Sequence, residues 1–419
     1  MIGKLMINLN AIALMGMLLT TSALAEVVQI TAKFAPDPSR PYVNEFENTT
    51  ISSGFCAANP NSCKMWNMFS IGTRINFNSI TPIRALHTER QGPMFSAPAA
   101  WKDVAIQDST GRDGPNVQIR ISGVGAIYQL SDRAQVLIGE ELDSYSAHKK
   151  LWSGGDWGIS PRPCLNSPGG GTVSDLDKQY GFFWFTPRVG VCATQAQYDI
   201  PGFSYIDLDF AYELKTPNPL KMVPGIYTGR AIYTIGPGLD FDMGDTMQPT
   251  DSTIQLDFTL TVDHVFNVEI PPGGNKVALL PEGGWQAWLN QGRRPVRLFR
   301  DQTFNIWTST PFKMSMECQY SQDGNTCSLR EPVSGHVVPL NVNVSLPHGL
   351  TDAGGQSVNR RQLLRDGSGT ELFQPGFYVD RKPGTLHFEI PPGEVAEMIR
   401  PGQPRQYSGN VTVIWDSDI

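Results

Sequence analysis

The sequence predicts an all-β protein built as two successive β domains, and three observations carry that reading. Apolar residues recur at every second position in run after run, the periodicity of strands whose side chains alternate between two faces. The 419 residues include 41 Gly and 32 Pro, which cut these runs at turns. Segments of helical period are few, and beyond residue 25 no run is apolar enough to span a membrane.

The first 25 residues stand apart. Lys4 sits in a short polar head, an apolar run extends from Ala11 to Leu19, and Ala23-Leu24-Ala25 precedes Glu26. This pattern is expected to be a secretory signal with an A-x-A cleavage site, leaving an exported, soluble chain. Loss of Lys4 takes the net charge from −7 to −8, a mild acidity that argues against a nucleic-acid partner.

Val28, Ile30, Ala32 and Phe34 then alternate as a first strand, stopped by Pro36 and Pro38, and a loop carrying Cys56 and Cys63 follows. Further strands are read at Val117 to Ile121 and at Ile206 to Leu214. In the second of these Ile206, Leu208, Phe210, Tyr212 and Leu214 are expected to face one way, with Asp207 and Asp209 facing the other. Between them lies an irregular, aromatic stretch: Trp152 and Trp157 in WSGGDWG, Gly169-Gly170-Gly171 after Cys164, and Tyr180-Gly181-Phe182-Phe183-Trp184-Phe185 before Cys192.

The segment from Thr253 to Pro272 divides the chain. Its even positions from Ile254 to Ile270 are apolar except His264. Seventeen residues at about 3.3 Å each would span about 56 Å, far more than the usual 17–20 Å of a strand. Two strands in series with a bend near Asp263 and His264 are therefore expected, the first closing a domain over 26–262 and the second opening one over 263–419; the alternative is one bent strand inside a single large sandwich. Downstream, Leu340, Val342, Val344 and Leu346 alternate, Phe377 and Val379 lead into an expected turn at Arg381-Lys382-Pro383-Gly384, and Leu386, Phe388 and Ile390 resume. Val411, Val413 and Trp415 share one face of a terminal strand. The Tyr-x-Gly that opens this strand at Tyr407 echoes Tyr227-Thr228-Gly229, but only the earlier copy is followed by another strand.

Six cysteines in an exported chain point to disulfides, and the absence of a C-x-x-C pair argues against zinc. Six allow 15 pairings. Pairing of sequence neighbours (Cys56 with Cys63, Cys164 with Cys192, Cys318 with Cys327) is adopted. The last has local support: Gln322-Asp323-Gly324-Asn325 is turn chemistry, and placing Tyr320 opposite Asn325 places Cys318 opposite Cys327.

Enzyme signatures are missing: the chain has no G-x-S-x-G, H-E-x-x-H, P-loop or G-x-G-x-x-G. Neither catalytic residues nor a cofactor or metal are expected. The acidic Asp240 to Asp245 lacks the Gly and distal Glu positions of an EF-hand and reads as a turn. Arg293, Arg294, Arg297 and Arg300 read as a solvated face with local ion pairs to residues such as Asp301, and His264 as a hydrogen-bonded hinge or core residue. Core packing is the default for any single aromatic residue. Grouped around Asp156, however, Trp152, Trp157, Tyr180 and Trp184 offer flat rings beside polar groups, which suits a sugar's C–H faces and hydroxyls. They form the candidate receptor-binding site.

Several stretches from Phe258 onward, FTLTVDHVFNVEIPPGG, GGWQAWLNQGRRP, FRDQTFNIWTS, VPLNVNVSLPHGLTDAGG, FQPGFYVDRKPGTLHFE and the terminal YSGNVTVIWDS, resemble the two-domain tip adhesins of chaperone-usher pili. The resemblance implies an N-terminal β-sandwich or lectin-like receptor-binding domain carried by a C-terminal incomplete immunoglobulin-like pilin domain. It also implies a periplasmic chaperone, an outer-membrane usher, an adjacent pilus subunit and a host or surface glycan as partners, with export through the periplasm to the pilus tip. Asp418 is next to last and Gly409 eleventh from the end, a departure from the commonest pilin ending that leaves the chaperone subclass open. In such a domain Phe266, Val268, Val411, Val413 and Trp415 would border a groove filled by a partner's strand. A secreted carbohydrate-active β-sandwich enzyme and a structural pilus subunit are the alternatives.

Overall fold

The computed structural model of the protein describes residues 26–167, 175–400 and 405–417. The expected signal segment, Gly169 to Gly171 and Asp418 lie outside the described residues. The architecture is all-β, with short helices only in connections.

Two sheets enclose the first core. One has five strands in the order Glu47–Asn48, Glu26–Phe34, Thr253–Val262, Gly225–Thr234, Ile106–Asp108. Glu26–Phe34 runs parallel to Thr253–Val262, from Glu26 opposite Ile254 to Phe34 opposite Val262. The alternation read in sequence is realised here: Ile254, Leu256, Phe258, Leu260 and Val262 are all buried. The other sheet has eight strands, with Val117–Leu130 between Phe203–Lys215 and Gln179–Phe185. Apolar residues of both sheets meet in one cluster extending from Val28 to Val262.

Phe203–Lys215 departs from the sequence reading. A bulge lies between Ile206 and Asp209, where Asp207 takes a φ of 51°. One extra residue reverses the parity of facing, so Phe203 and Tyr205 point inward before the bulge and Leu208, Phe210 and Tyr212 after it. Ile206 is only half-buried.

A second cluster, from Leu298 to Val395, lies under a sheet in the order Phe266–Glu269, Leu298–Thr308, Val379–Ile390, Val337–Ser345, Cys327–Arg330, and under the separate pair Lys313–Cys318 with Val411–Asp416. The expected turn at Arg381 to Gly384 is instead part of the continuous strand Val379–Ile390. Arg381 has a φ of 45° and the ladder with Leu298–Thr308 shifts there, so the chain bends without reversing. Gly384 is needed because a Cβ there would lie 2.4 Å from the Phe304 ring.

Three disulfides form: Cys56–Cys63, Cys164–Cys192 and Cys318–Cys327. The last does not sit in the expected hairpin register. Tyr320 lies opposite Ser328, not Asn325, and Cys318 and Cys327 pair in different ladders, with Val411 and Leu340. The turn is longer because Asp323 accepts the amides of Asn325 and Thr326, and the disulfide ties two sheets together rather than two strands of one hairpin.

The long apolar run breaks at Asp263 to Val265, between Thr253–Val262 and Phe266–Glu269. His264 holds the break. Its Nε2 is 2.9 Å from the Met222 carbonyl, beside the first core, and its Nδ1 is 3.0 Å from Ser309 Oγ, beside the second. A carbonyl only accepts, so Nε2 carries the proton and Nδ1 accepts from the Ser309 hydroxyl. Phe34 packs its ring edge-on at 5.6 Å.

Candidate functional site

The structure brings the sequence-derived aromatic group together, but inside the first core. Trp157 lies 5.2 Å from both Trp152 and Trp184 and is also in ring contact with Tyr128, Phe95 and Phe182. Trp152, Trp157 and Trp184 are at most 2% exposed. Buried to that degree, these indoles cannot present a stacking surface to a sugar, and the reading of them as receptor contacts is corrected on that ground. Asp156 is 5% exposed and accepts hydrogen bonds from the Tyr145 and Tyr180 hydroxyls at 2.9 and 2.7 Å and from the Gly158 amide. Those hydrogen bonds hold its carboxyl below the usual range against the opposing effect of burial. Its acceptor capacity serves the fold. His148 is likewise buried, taking the Tyr128 hydroxyl on Nδ1 and giving Nε2–H to the Leu176 carbonyl, and burial pushes its pKa down. The acidic segment after Leu239 is closed by Arg90, which pairs with Asp242 and Asp245.

A different part of the first half presents aromatic surface. Helices Phe55–Ala58 and Pro60–Met65 form a small hairpin closed by Cys56–Cys63. Phe55 stacks on Phe183 at 4.2 Å, and with Cys56, Cys63 and Met68 it makes a satellite core on the outer face of the eight-stranded sheet. Trp66 follows the second helix and Asn67 ends it with a φ of 47°. Trp66 is 56% exposed and 5.7 Å from Phe185, and Leu165, opposite Phe185 in the ladder, is also exposed. These three side chains form one wall of an open groove of about 1300 Å³ between the 37–49 segment and the strand Phe203–Lys215. Composition alone hid this wall, because Trp66 and Phe185 are 119 positions apart and neither stands in a motif.

The second half offers two strand edges, one on Val411–Asp416 and one on Phe266–Glu269. Val411–Asp416 pairs with Lys313–Cys318, and Phe266–Glu269 pairs with Leu298–Thr308; among the described residues each has a single neighbouring strand. No residue of either is buried. Yet Phe266, Val268, Val411, Val413 and Trp415 all pack against the second core, with Phe266 5.2 Å from Phe312 and Trp415 5.7 Å from Phe304. The matching strand of the first half, Gly225–Thr234, has neighbours on both sides.

No family model matches the chain, and no curated protein matches its sequence. Among solved structures, it is similar to a chaperone-tip adhesin complex of CFA/I fimbriae biogenesis, at 11% identity and a TM-score of 0.23, over 94% of this chain and 97% of that one. It is also similar to a chaperone-tip adhesion subunit pre-assembly complex from archaic chaperone-usher Csu pili of Acinetobacter baumannii, at 9% identity and a TM-score of 0.21, over 94% of this chain and 99% of that one.

Proposed function

We propose that the protein is a fimbrial tip adhesin: residues 26–262 bind a receptor, a glycan on a host or other surface, and residues 263–419 form a pilin domain completed by a strand from another protein. The observation that carries this reading is the pair of half-covered strands Phe266–Glu269 and Val411–Asp416, whose apolar side chains lie on the second core without being sealed from water. A bare strand edge beside apolar surface is an aggregation hazard, and addition of a strand removes it. Four or five donor side chains at about 1.5–3 kcal/mol each contribute roughly 6–15 kcal/mol before ordering costs, comparable to the stability of a whole domain. The motifs from Phe258 onward that resemble pilus adhesins support the same reading. On it, a periplasmic chaperone supplies the strand during export, an outer-membrane usher passes the subunit on, and the adjacent pilus subunit replaces the chaperone, leaving the protein at the pilus tip.

The test is to add a peptide with alternating apolar residues to the purified chain. Uptake and a rise in melting temperature are expected, and Val411→Lys or Val413→Lys should abolish both. A chain that melts cooperatively as a monomer and ignores the peptide would refute the reading.

A further inference from the structure

The groove beside Trp66 has a composition that selects its ligand, and we infer that it is the receptor site and that it takes a neutral oligosaccharide. This inference rests on the adhesin reading above and names the site and ligand class for it.

Three features point the same way. Trp66, exposed, and Phe185, half-buried, lie 5.7 Å apart at 41° and give an angled aromatic wall, which suits the C–H faces of successive sugar rings. The Cys56–Cys63 link and the Phe55–Phe183 stack hold the Trp66 hairpin in place, so the wall is preorganised. The charges lining the groove cancel: Lys33, Arg40, Arg120 and Lys215 against Asp37, Glu45, Glu47 and Glu213.

The cations are moreover engaged. Lys33 pairs with Asp263, Arg40 with Asp37 and Arg120 in two-pronged fashion with Glu213, while Lys215 lies 4.1 Å over the Trp101 ring. An anionic sugar would compete with a carboxylate for Lys33, Arg40 or Arg120 and with the Trp101 ring for Lys215, and Glu45 and Glu47 would repel it. A neutral polyol meets the Ser122 hydroxyl and the Asn67 amide instead. At about 1300 Å³ the groove exceeds the ~300–1,000 Å³ usual for a small-molecule site, so it suits a chain of sugars rather than one.

The experiment uses the full chain on an array of neutral oligosaccharides and their sialylated and sulfated counterparts, followed by titration with the best neutral binder. Neutral oligosaccharides of three or more sugars should bind best. Trp66→Ala should weaken the titrated affinity at least tenfold, Phe185→Ala should do likewise, Trp66→Tyr should restore part of it, and Trp288→Ala, outside the groove, should change nothing. Circular dichroism and melting of each variant separate lost contact from lost fold. Preference for sialylated or sulfated glycans, absence of binding by the folded chain, or unchanged affinity in both alanine variants would overturn the assignment. Donor-peptide uptake measured on the same preparations separates the two claims: uptake without a Trp66 effect removes only the groove, whereas failure of both removes the adhesin reading as well.

Discussion

Asp209 shows how one side chain can set a pH dependence. It follows the bulge in Phe203–Lys215 and is packed against two glycines, Gly54 and Gly72, at which an added Cβ would lie 2.3 and 2.8 Å from its Oδ1. Burial, with Asp207 close by, pushes its carboxyl up to about 7, opposed by the Phe55 amide. Its folded value therefore lies above the unfolded one, near 3.8. The folded chain binds the proton more tightly, so this contribution is complete below about pH 4 and is lost as pH rises through about 7. Asp209→Asn removes the charge that must be buried. It is expected to raise the melting temperature at pH 8, by a gain of at most about 4 kcal/mol, and to change little at pH 4. Equal shifts at the two pH values would show that the carboxyl is not desolvated as described.

The disulfide-closed hairpin formed by Phe55–Ala58 and Pro60–Met65 is too short to hold as free helices, which need about 12–15 residues to be even marginal in water. Its order comes from Phe55 on Phe183, from the Cys56 amide donating to Ser70 Oγ at 2.8 Å, and from the Cys56–Cys63 link across seven positions. A loop of that size limits the unfolded chain by about 2–3 kcal/mol. Replacing both cysteines with serine should cost about that much stability by denaturant titration. Amide exchange at 55–66 should rise while the strands Thr253–Val262 and Val117–Leu130 stay protected. Uniform loss of protection would mean that the hairpin is integral to the first core rather than mounted on it.

Across the whole molecule the two cores meet at His264, whose neutral form satisfies Met222 and Ser309 at once. Ser309 also accepts the Val265 amide on Oγ and donates its own amide to the Val265 carbonyl. Burial pushes the imidazole below its ordinary pKa, outweighing the opposing pull of the Met222 and Pro219 carbonyls and of Asp263, itself paired with Lys33. The unfolded chain therefore takes up the proton first, so the contribution is present above about pH 6.5 and is lost as pH falls below it. Amide exchange at Val265 and Ser309 should be faster at pH 5 than at pH 7.5 after correction for the intrinsic rate, and His264→Gln should flatten the difference. Equal protection at both pH values in the parent chain would show that His264 does not govern the joint. The joint also includes Tyr42 against Phe377 at 4.6 Å and the Tyr378 amide donating to the Pro41 carbonyl.

The sequence by itself determined the features that depend on local periodicity. Alternation from Ile254 to Val262 specified a strand with one buried face, its excessive length demanded a break, and His264 marked where the break would come. Tertiary structure decided what periodicity cannot encode. The bulge at Asp207 turned Tyr205 inward in place of Ile206, because one residue with a left-handed backbone reverses every later side chain. Arg381 to Gly384 has turn composition but continues a strand, because Lys382, Pro383 and Gly384 lie opposite Ile306, Asn305 and Phe304 in the ladder with Leu298–Thr308. Trp152, Trp157 and Trp184 went into the core while Trp66 stayed outside, and no local pattern separates those outcomes. An indole's exposure depends on which distant rings reach it, and that is set only when the sheets close around it.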